Sequence, residues 1–363
     1  MAVPLDIRLR PVWRFRNNEE RELDLSLLAL LEAIEQTGKL TAAAKTAGVS
    51  HRHAWNLIER WSDFLGAPVV VIERGKGTRL SPLGAKLLFA GRRTLARLEP
   101  ELDNLAAELV ESLAGAVPGD LPVVRVHASH DFVLGRLRHL VADTRSFTMD
   151  LRYRGSAEAL AALRRGACDL AGFHVTEGPL GLETAHRYAE MLGPDVHRLV
   201  WVANRVQGLI VPPGNPKSIV SVRDLARPET RFINRQRDSG TRILLDQLLG
   251  KEKISPSGID GYEDEEHTHG AVAAHVAGGK ADAGLGIEAA AREFNLGFVP
   301  LATERYFLAG HKEALERPEG KLLLGLLRGD AFHDLVIGVH GERAHHTGQV
   351  SALRDVPPWD AFL

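Results

Sequence analysis

Thr41-Ala-Ala-Ala-Lys-Thr-Ala-Gly48-Val-Ser50-His-Arg-His-Ala-Trp-Asn-Leu-Ile-Glu-Arg-Trp61 is the stretch on which the fold of the first third turns. Its first half is a short helix former made of small side chains, with Thr41 as the expected N-cap. Gly48 supplies a tight turn. Ser50 offers a hydroxyl to the free amides that open the next helix. Small residues, a glycine turn and a capped second helix let two helices cross closely, as a helix-turn-helix requires. The second helix turns Ala54, Trp55 in part, Ile58 and Trp61 or Leu65 inward. That leaves His51, Arg52 and His53 exposed in its first turn, with Asn56 and Arg60 beyond. The first turn of such a helix meets base edges in the major groove.

Upstream, Asp24 is placed to cap a helix with Leu27, Leu28, Leu31 and Ile34 at helical spacing, ended by Gly38. Downstream, Val69 to Pro82 reads as a hairpin whose tip, Arg74-Gly-Lys76-Gly-Thr-Arg79, is basic and suits a wing on phosphates or in the minor groove. Between Lys39 and Arg97 there are eleven Lys or Arg against three acids, while the whole chain of 363 residues carries a net charge of only −2. This local excess is what a phosphate-binding surface needs. The expected DNA contacts are Thr41, Ser50, His51, Arg52, His53, Asn56, Arg60, Arg74, Lys76 and Arg79.

From Pro82 onward Leu88, Leu95, Leu98, Leu102, Leu105 and Leu109 follow at sevens, threes and fours, a heptad seam that pairs helices. A helix to Leu113 would be about 45 Å long. Pro100 inside it predicts a break into two pieces, and Gly115 to Pro122 marks a boundary. Beyond lie alternating strands and helices: strands at Val123–Ala128, Asp150–Arg154, Val206–Val211, Arg231–Asn234, Ala281–Ile287 and Gly297–Leu301. The helix after Gly155 is expected to extend through Cys168-Asp-Leu-Ala-Gly172. Such alternation predicts parallel α/β sheets.

Ser129, Ser156 and Ser239-Gly240-Thr241 each fall where a strand gives way to a helix. Unpaired amides at a helix start carry partial positive charge, and a hydroxyl there adds a neutral donor, so the pattern predicts a converging anion site with Arg235 and Arg237 near it. The candidate ligand contacts are Ser129, His130, Ser156, Arg235, Arg237, Ser239, Gly240, Thr241 and Tyr306.

The segment Thr41 to Ser50, the wing and Leu80-Ser-Pro-Leu-Gly84 resemble the LysR-type winged helix-turn-helix. Ala47-Gly-Val-Ser50 followed by Ala54-Trp55 is more similar still to the DNA-binding domain of molybdate-responsive repressors. These likenesses span residues 24 to about 113. Ala128-Ser-His-Asp131, Gly155-Ser156, Gly208 to Pro216, Phe232 to Arg242, His267-Thr-His269 and Ala281 to Ile287 resemble the type-2 periplasmic-binding-protein fold, in its molybdate- or tungstate-binding-like form. Arg235 stands in the place of an arginine of tungstate-binding proteins. The molybdate-responsive repressors carry small β-barrel ligand domains, so their ligand does not transfer through the N-terminal likeness. LysR-type effector domains bind mainly organic metabolites.

The resulting expectation is an α/β chain with an N-terminal, mostly helical domain: a winged helix-turn-helix (1–81), a linker and dimerisation helix (82–114), a two-lobed ligand domain (122–340) and a C-terminal tail (341–363). The first lobe is roughly 123–203 plus the chain after about 300, and the second roughly 208–298. The expected role is a transcription regulator that binds an operator in double-stranded DNA as a homodimer or dimer of dimers. It would sense a small anion, molybdate or tungstate, and use no cofactor. A LysR-like sensor of an organic metabolite, or a ligand sensor or carrier with little DNA binding, are the alternatives. One cysteine, no signal peptide and no long apolar run predict a cytoplasmic protein without a membrane partner. Sixteen histidines are present, yet only His267-Thr-His269 has ligand-like spacing, and a loop touching the cleft is the expected reading there rather than a metal site. The Gly-Lys-Gly-Thr of residues 75–78 lacks the strand and glycine of a P-loop. With no catalytic motif found, no enzymatic activity is expected.

Overall fold

The computed structural model describes residues 7–16, 19–23, 25–73, 77–113, 121–237 and 239–362. It divides into two compact units, Arg10–Ala96 and a larger one built on Arg97–Leu363.

In the smaller unit α1 (Leu25–Thr37), α2 (Leu40–Thr46) and α3 (His51–Leu65) surround Leu27, Leu31, Ile34, Ala54, Ile58 and Trp61. Ala43 and Ala54 are both buried, which is how small side chains let α2 and α3 approach. Ser50 caps α3 by accepting from the His53 amide at 3.1 Å. Thr41 is not a cap: α2 begins at Leu40 with Lys39 before it and no side-chain cap bond. Burial of Leu40 draws the helix start one residue earlier and leaves Thr41 exposed in the first turn. The wing strands β3 (Val70–Glu73) and β4 (Gly77–Leu80) pair antiparallel. Gly77 has φ +96, and a Cβ there would lie 2.4 Å from the Gly38 carbonyl, so only glycine passes. Before α1, β1 (Arg14–Arg16) and β2 (Glu20–Glu22) pair antiparallel. Phe15 sets its ring edge-on to Trp61 with centroids 5.5 Å apart.

α4 runs unbroken over Pro82–Leu113 despite Pro100, so the two expected pieces are one helix. Proline removes a single amide and strains one turn. Both flanks are tied to their own units: Arg92 to Glu32 at 3.0 Å and Glu35 at 2.8 Å, and Asp103 to Arg138 at 2.9 Å. Leu88 belongs to the core of the smaller unit, whereas Leu95, Leu98, Leu105 and Leu109 stay about 40% exposed. No helix among the described residues is long and apolar enough to cross a membrane.

The larger unit holds one mixed sheet in the order β10-β9-β11-β8-β12-β7-β5-β6. Its first lobe contains β5 (Val123–Ala128), α5 (Phe132–Thr144), β6 (Thr148–Tyr153), α6 (Ser156–Arg164), β7 (Leu170–Thr176) and α7 (Gly181–Ala189). The second contains β9 (Phe232–Arg235), α8 (Gly240–Glu252), β10 (Glu265–Glu266), α9 (His269–Ala277) and β11 (Ala283–Ile287). Between them lie two 15-residue strands, β8 (His197–Val211) and β12 (Gly297–His311), which pair antiparallel. The sheet is therefore parallel only within each lobe. Cys168 to Gly172 is not helical either: α6 stops at Arg164, Gly166 takes φ +71, and Leu170 begins a fully buried strand. Nor are residues 341–362 a tail. β13 (Glu342–Arg343) and β14 (Val350–Ala352) pair with β8, and the buried Trp359 donates its indole N–H to the Ala185 carbonyl at 3.0 Å.

Candidate anion-binding site

Four strand-to-helix turns of the larger unit face one cavity of about 460 Å³. After β5, Ser129 and His130 line it, but the cap of α5 is Asp131, which accepts from the Val133 and Leu134 amides at 2.8 and 3.4 Å. Ser129 therefore precedes the helix start, and its hydroxyl meets His174 Nδ1 at 3.0 Å instead. Gly155 caps α6, and Ser156 is its buried first residue. Ser239 caps α8 by accepting from the Arg242 amide at 3.1 Å, followed by Gly240 and Thr241. Thr268 caps α9 by accepting from the Ala271 amide at 2.9 Å, which puts His269 at the helix start. Sequence reading placed His267 to His269 in a loop beside the cleft. The signal for a fourth start was Thr268 before the apolar run from Ala271.

The charges are arranged unevenly. Arg205, on β8, donates to Asp131 at 2.9 Å and to Glu304, its cross-strand partner on β12, at 2.9 Å. Gln207 ties Glu304 to Thr241, donating to each at 3.0 Å. Burial acts to raise the Asp131 carboxyl, but His174 and Arg205 outweigh it and bring the pKa down to about 2. Arg235 touches no carboxylate among the described residues. Its Nε donates to the Gln236 side chain at 3.2 Å and one terminal nitrogen to the His267 carbonyl at 3.0 Å. The other, Nη1, has no partner among the described residues, although the residue is only 5% exposed. Burial, aided by Arg205, pushes this guanidinium down to about 9.

Burial also pushes His130 down to about 4, and pushes His174 and, more strongly, His269 below the ordinary histidine range. The three imidazoles are neutral near pH 7 and present N–H donors without charge. Nδ1 of His130 and of His269 has no partner among the described residues. Helix starts, hydroxyls, neutral imidazoles and one guanidinium with no direct carboxylate contact among the described residues make a donor-rich cavity suited to an anion.

Ser129, His130, Ser156, Arg235, Ser239, Gly240 and Thr241 are thus brought together. Arg237 is not with them: the strand ends at Arg235, and Arg237, 73% exposed, pairs with Glu263 at 2.9 Å and Glu265 at 3.6 Å. Tyr306 lies behind the wall, stacked on His174 at 3.9 Å with its hydroxyl donating to the Ser129 carbonyl at 3.4 Å. Sequence reading missed His174 and Arg205, which are polar residues inside buried strands. No group of three or more metal-ligating side chains occurs among the described residues.

In the smaller unit His51, Arg52, His53, Asn56 and Arg60 are all exposed on α3, as is Arg79 on β4. Arg74 and Lys76 lie outside the described residues.

Residues 137–328, more than half of the chain, match the family model of the PBP superfamily domain. The chain belongs to the PBP superfamily. It is 34% identical over 205 residues to the uncharacterized protein YvgK of Bacillus subtilis (strain 168), covering 55% of this chain and 65% of that one. It is 42% identical over 79 residues to the molybdenum transport protein ModE of Herbaspirillum seropedicae, covering 21% of this chain and 29% of that one. The match spans less than two thirds of either relative's length. Among solved structures, a mutant of Corynebacterium glutamicum OxyR with H2O2 bound aligns with a TM-score of 0.45 at 16% identity, covering 86% of this PBP-superfamily chain and 94% of OxyR.

Proposed function

We propose that this chain is a ligand-responsive, DNA-binding transcription regulator whose cleft holds a tetrahedral oxyanion of the molybdate or tungstate class. The observation that carries the ligand reading is Arg235: a buried guanidinium that, among the described residues, has no carboxylate contact and no partner for Nη1, set among the starts of α6, α8 and α9. A buried charge is costly unless paired, and a bound anion supplies the partner. The exposed basic face of α3 and the wing support DNA as the macromolecular partner, bound by a homodimer or dimer of dimers in the cytoplasm.

Isothermal titration of the full chain with tungstate, molybdate, sulfate and phosphate tests the ligand. Tungstate and molybdate are expected to bind, and sulfate to compete poorly. The second reading is an organic acid, favoured by the cavity's size of about 460 Å³, within the range of small-molecule pockets. Heat with an organic acid and none with any oxyanion would decide for it.

A further inference from the structure

One wall of the cavity comes from the long helix rather than from the lobes. Arg97, Pro100, Glu101 and Asn104 line it, and their spacing of three, four and seven residues puts them on one face of α4. Asn104 fastens that face to the first lobe by mimicking a strand neighbour: its Nδ2 donates to the Tyr153 carbonyl at 3.1 Å and its Oδ1 accepts from the Tyr153 amide at 2.7 Å. Two turns earlier the helix reaches the second lobe, where Arg97 Nε lies 3.3 Å from Glu266 Oε2. The same helix therefore touches both lobes at the edge of the site.

That second contact is built to let go. The Arg97 side chain is half exposed, while Glu266 is only 3% exposed. Glu266 also faces His275, whose Nδ1 is 3.1 Å away, so the carboxylate keeps a partner when Arg97 leaves. Glu266 pairs in register with Arg235, and the next residue, His267, supplies the carbonyl that holds the Arg235 guanidinium. A dianion seated at Arg235 thus competes with a single carboxylate for the guanidinium of Arg97, and the doubly charged acceptor has the stronger pull. Pro100, one turn on, removes an amide from the helix where it borders the site, which makes that turn the easiest to bend.

We propose that Arg97 is a ligand-binding residue: the bound anion draws its guanidinium from Glu266, so occupancy of the cleft is felt by the linker helix itself and not only through closure of the lobes. This rests on the oxyanion reading of the cleft. Full-length wild type, Arg97→Ala, Glu266→Gln and the double variant are titrated with sodium tungstate. Alanine favours the helix at this half-exposed position, so the fold is retained. Arg97→Ala is expected to weaken binding by about tenfold or more. Glu266→Gln, which releases Arg97 and removes a competing charge, is expected to tighten it, and the double variant loses most of that gain. Hydrogen exchange at residues 97–104 should slow on adding tungstate in wild type but not in Arg97→Ala. If wild type binds and Arg97→Ala binds equally well, or if both single variants weaken binding alike, the role of Arg97 falls while the oxyanion site stands. If wild type binds no oxyanion, both fall together.

Discussion

Replacing Ser239 by Ala and Thr241 by Val removes the two hydroxyls at the start of α8 with little other change. Thr241 accepts from Gln207 at 3.0 Å, which leaves its own proton for a ligand, and Gln207 keeps its bond to Glu304 when the hydroxyl is gone. Ser239 accepts from the Arg242 amide, and its proton is likewise available. A hydrogen bond to a charged acceptor contributes about 1.5–3 kcal/mol, so losing both costs about 3–6 kcal/mol of binding, a drop of a hundredfold or more. On the folded chain, the Ser239 cap costs about 1 kcal/mol and the neutral Thr241 bond about 1 kcal/mol. Titration calorimetry with tungstate and urea denaturation without it therefore separate the two effects. Affinity should collapse while stability falls by about 2 kcal/mol. An affinity loss under about fivefold, near 1 kcal/mol, would show that the start of α8 does not hold the anion. A stability loss above about 4 kcal/mol would show that these hydroxyls serve the fold instead.

Arg52→Ala should weaken operator binding by about 1–3 kcal/mol and relax sequence preference, whereas Lys76→Ala should weaken all duplexes alike and lower the salt slope by about one. Equal binding by both variants across a salt titration would remove the helix-turn-helix assignment. Glutamate at Leu95 and Leu105, both about 40% exposed on α4, should yield a monomer in analytical ultracentrifugation, and a dimer that persists would move the interface elsewhere. His130 has its pKa lowered to about 4 in the fold. As pH drops below about 6.5 the unfolded chain takes up the proton first. Stability is then complete above that pH and falls by about 3 kcal/mol toward pH 4, a loss that His130→Gln should reduce in urea titrations at the two pH values.

The parts of the fold that were legible in the sequence are those governed by local rules. Ser50 caps α3 because its hydroxyl serves an amide three residues on, and the Ser239-Gly240-Thr241 turn starts α8 for the same reason. The two crossing strands were half hidden. Only Val206–Val211 and Gly297–Leu301 read as strand, because Asn204, Arg205, Glu304 and Arg305 interrupt the apolar run. Arg205 and Glu304 are buried against each other, a pairing 99 residues apart in the chain that no local pattern records. Arg237 misled for the opposite reason, since closeness to Arg235 in sequence says nothing once the strand has ended. Trp359 closes the first lobe from a segment that resembled a tail, because its partner Ala185 lies 174 residues away.

β8 and β12 do not cross between the lobes as separate tethers. They are hydrogen-bonded to each other along their length, with register shifts at Pro300/Ala302 and at Tyr306/Phe307 that bracket the Arg205–Glu304 pair. Two independent strands would let the lobes swing like a door on loose straps. A zipped ribbon resists splaying and yields mainly by twisting, and the two irregular points set where it yields. Such a joint gives up amplitude for repeatability. A joint of this kind favours few postures, so a ligand held between the lobes would turn them through one small, reproducible angle, a fixed step rather than a graded sway.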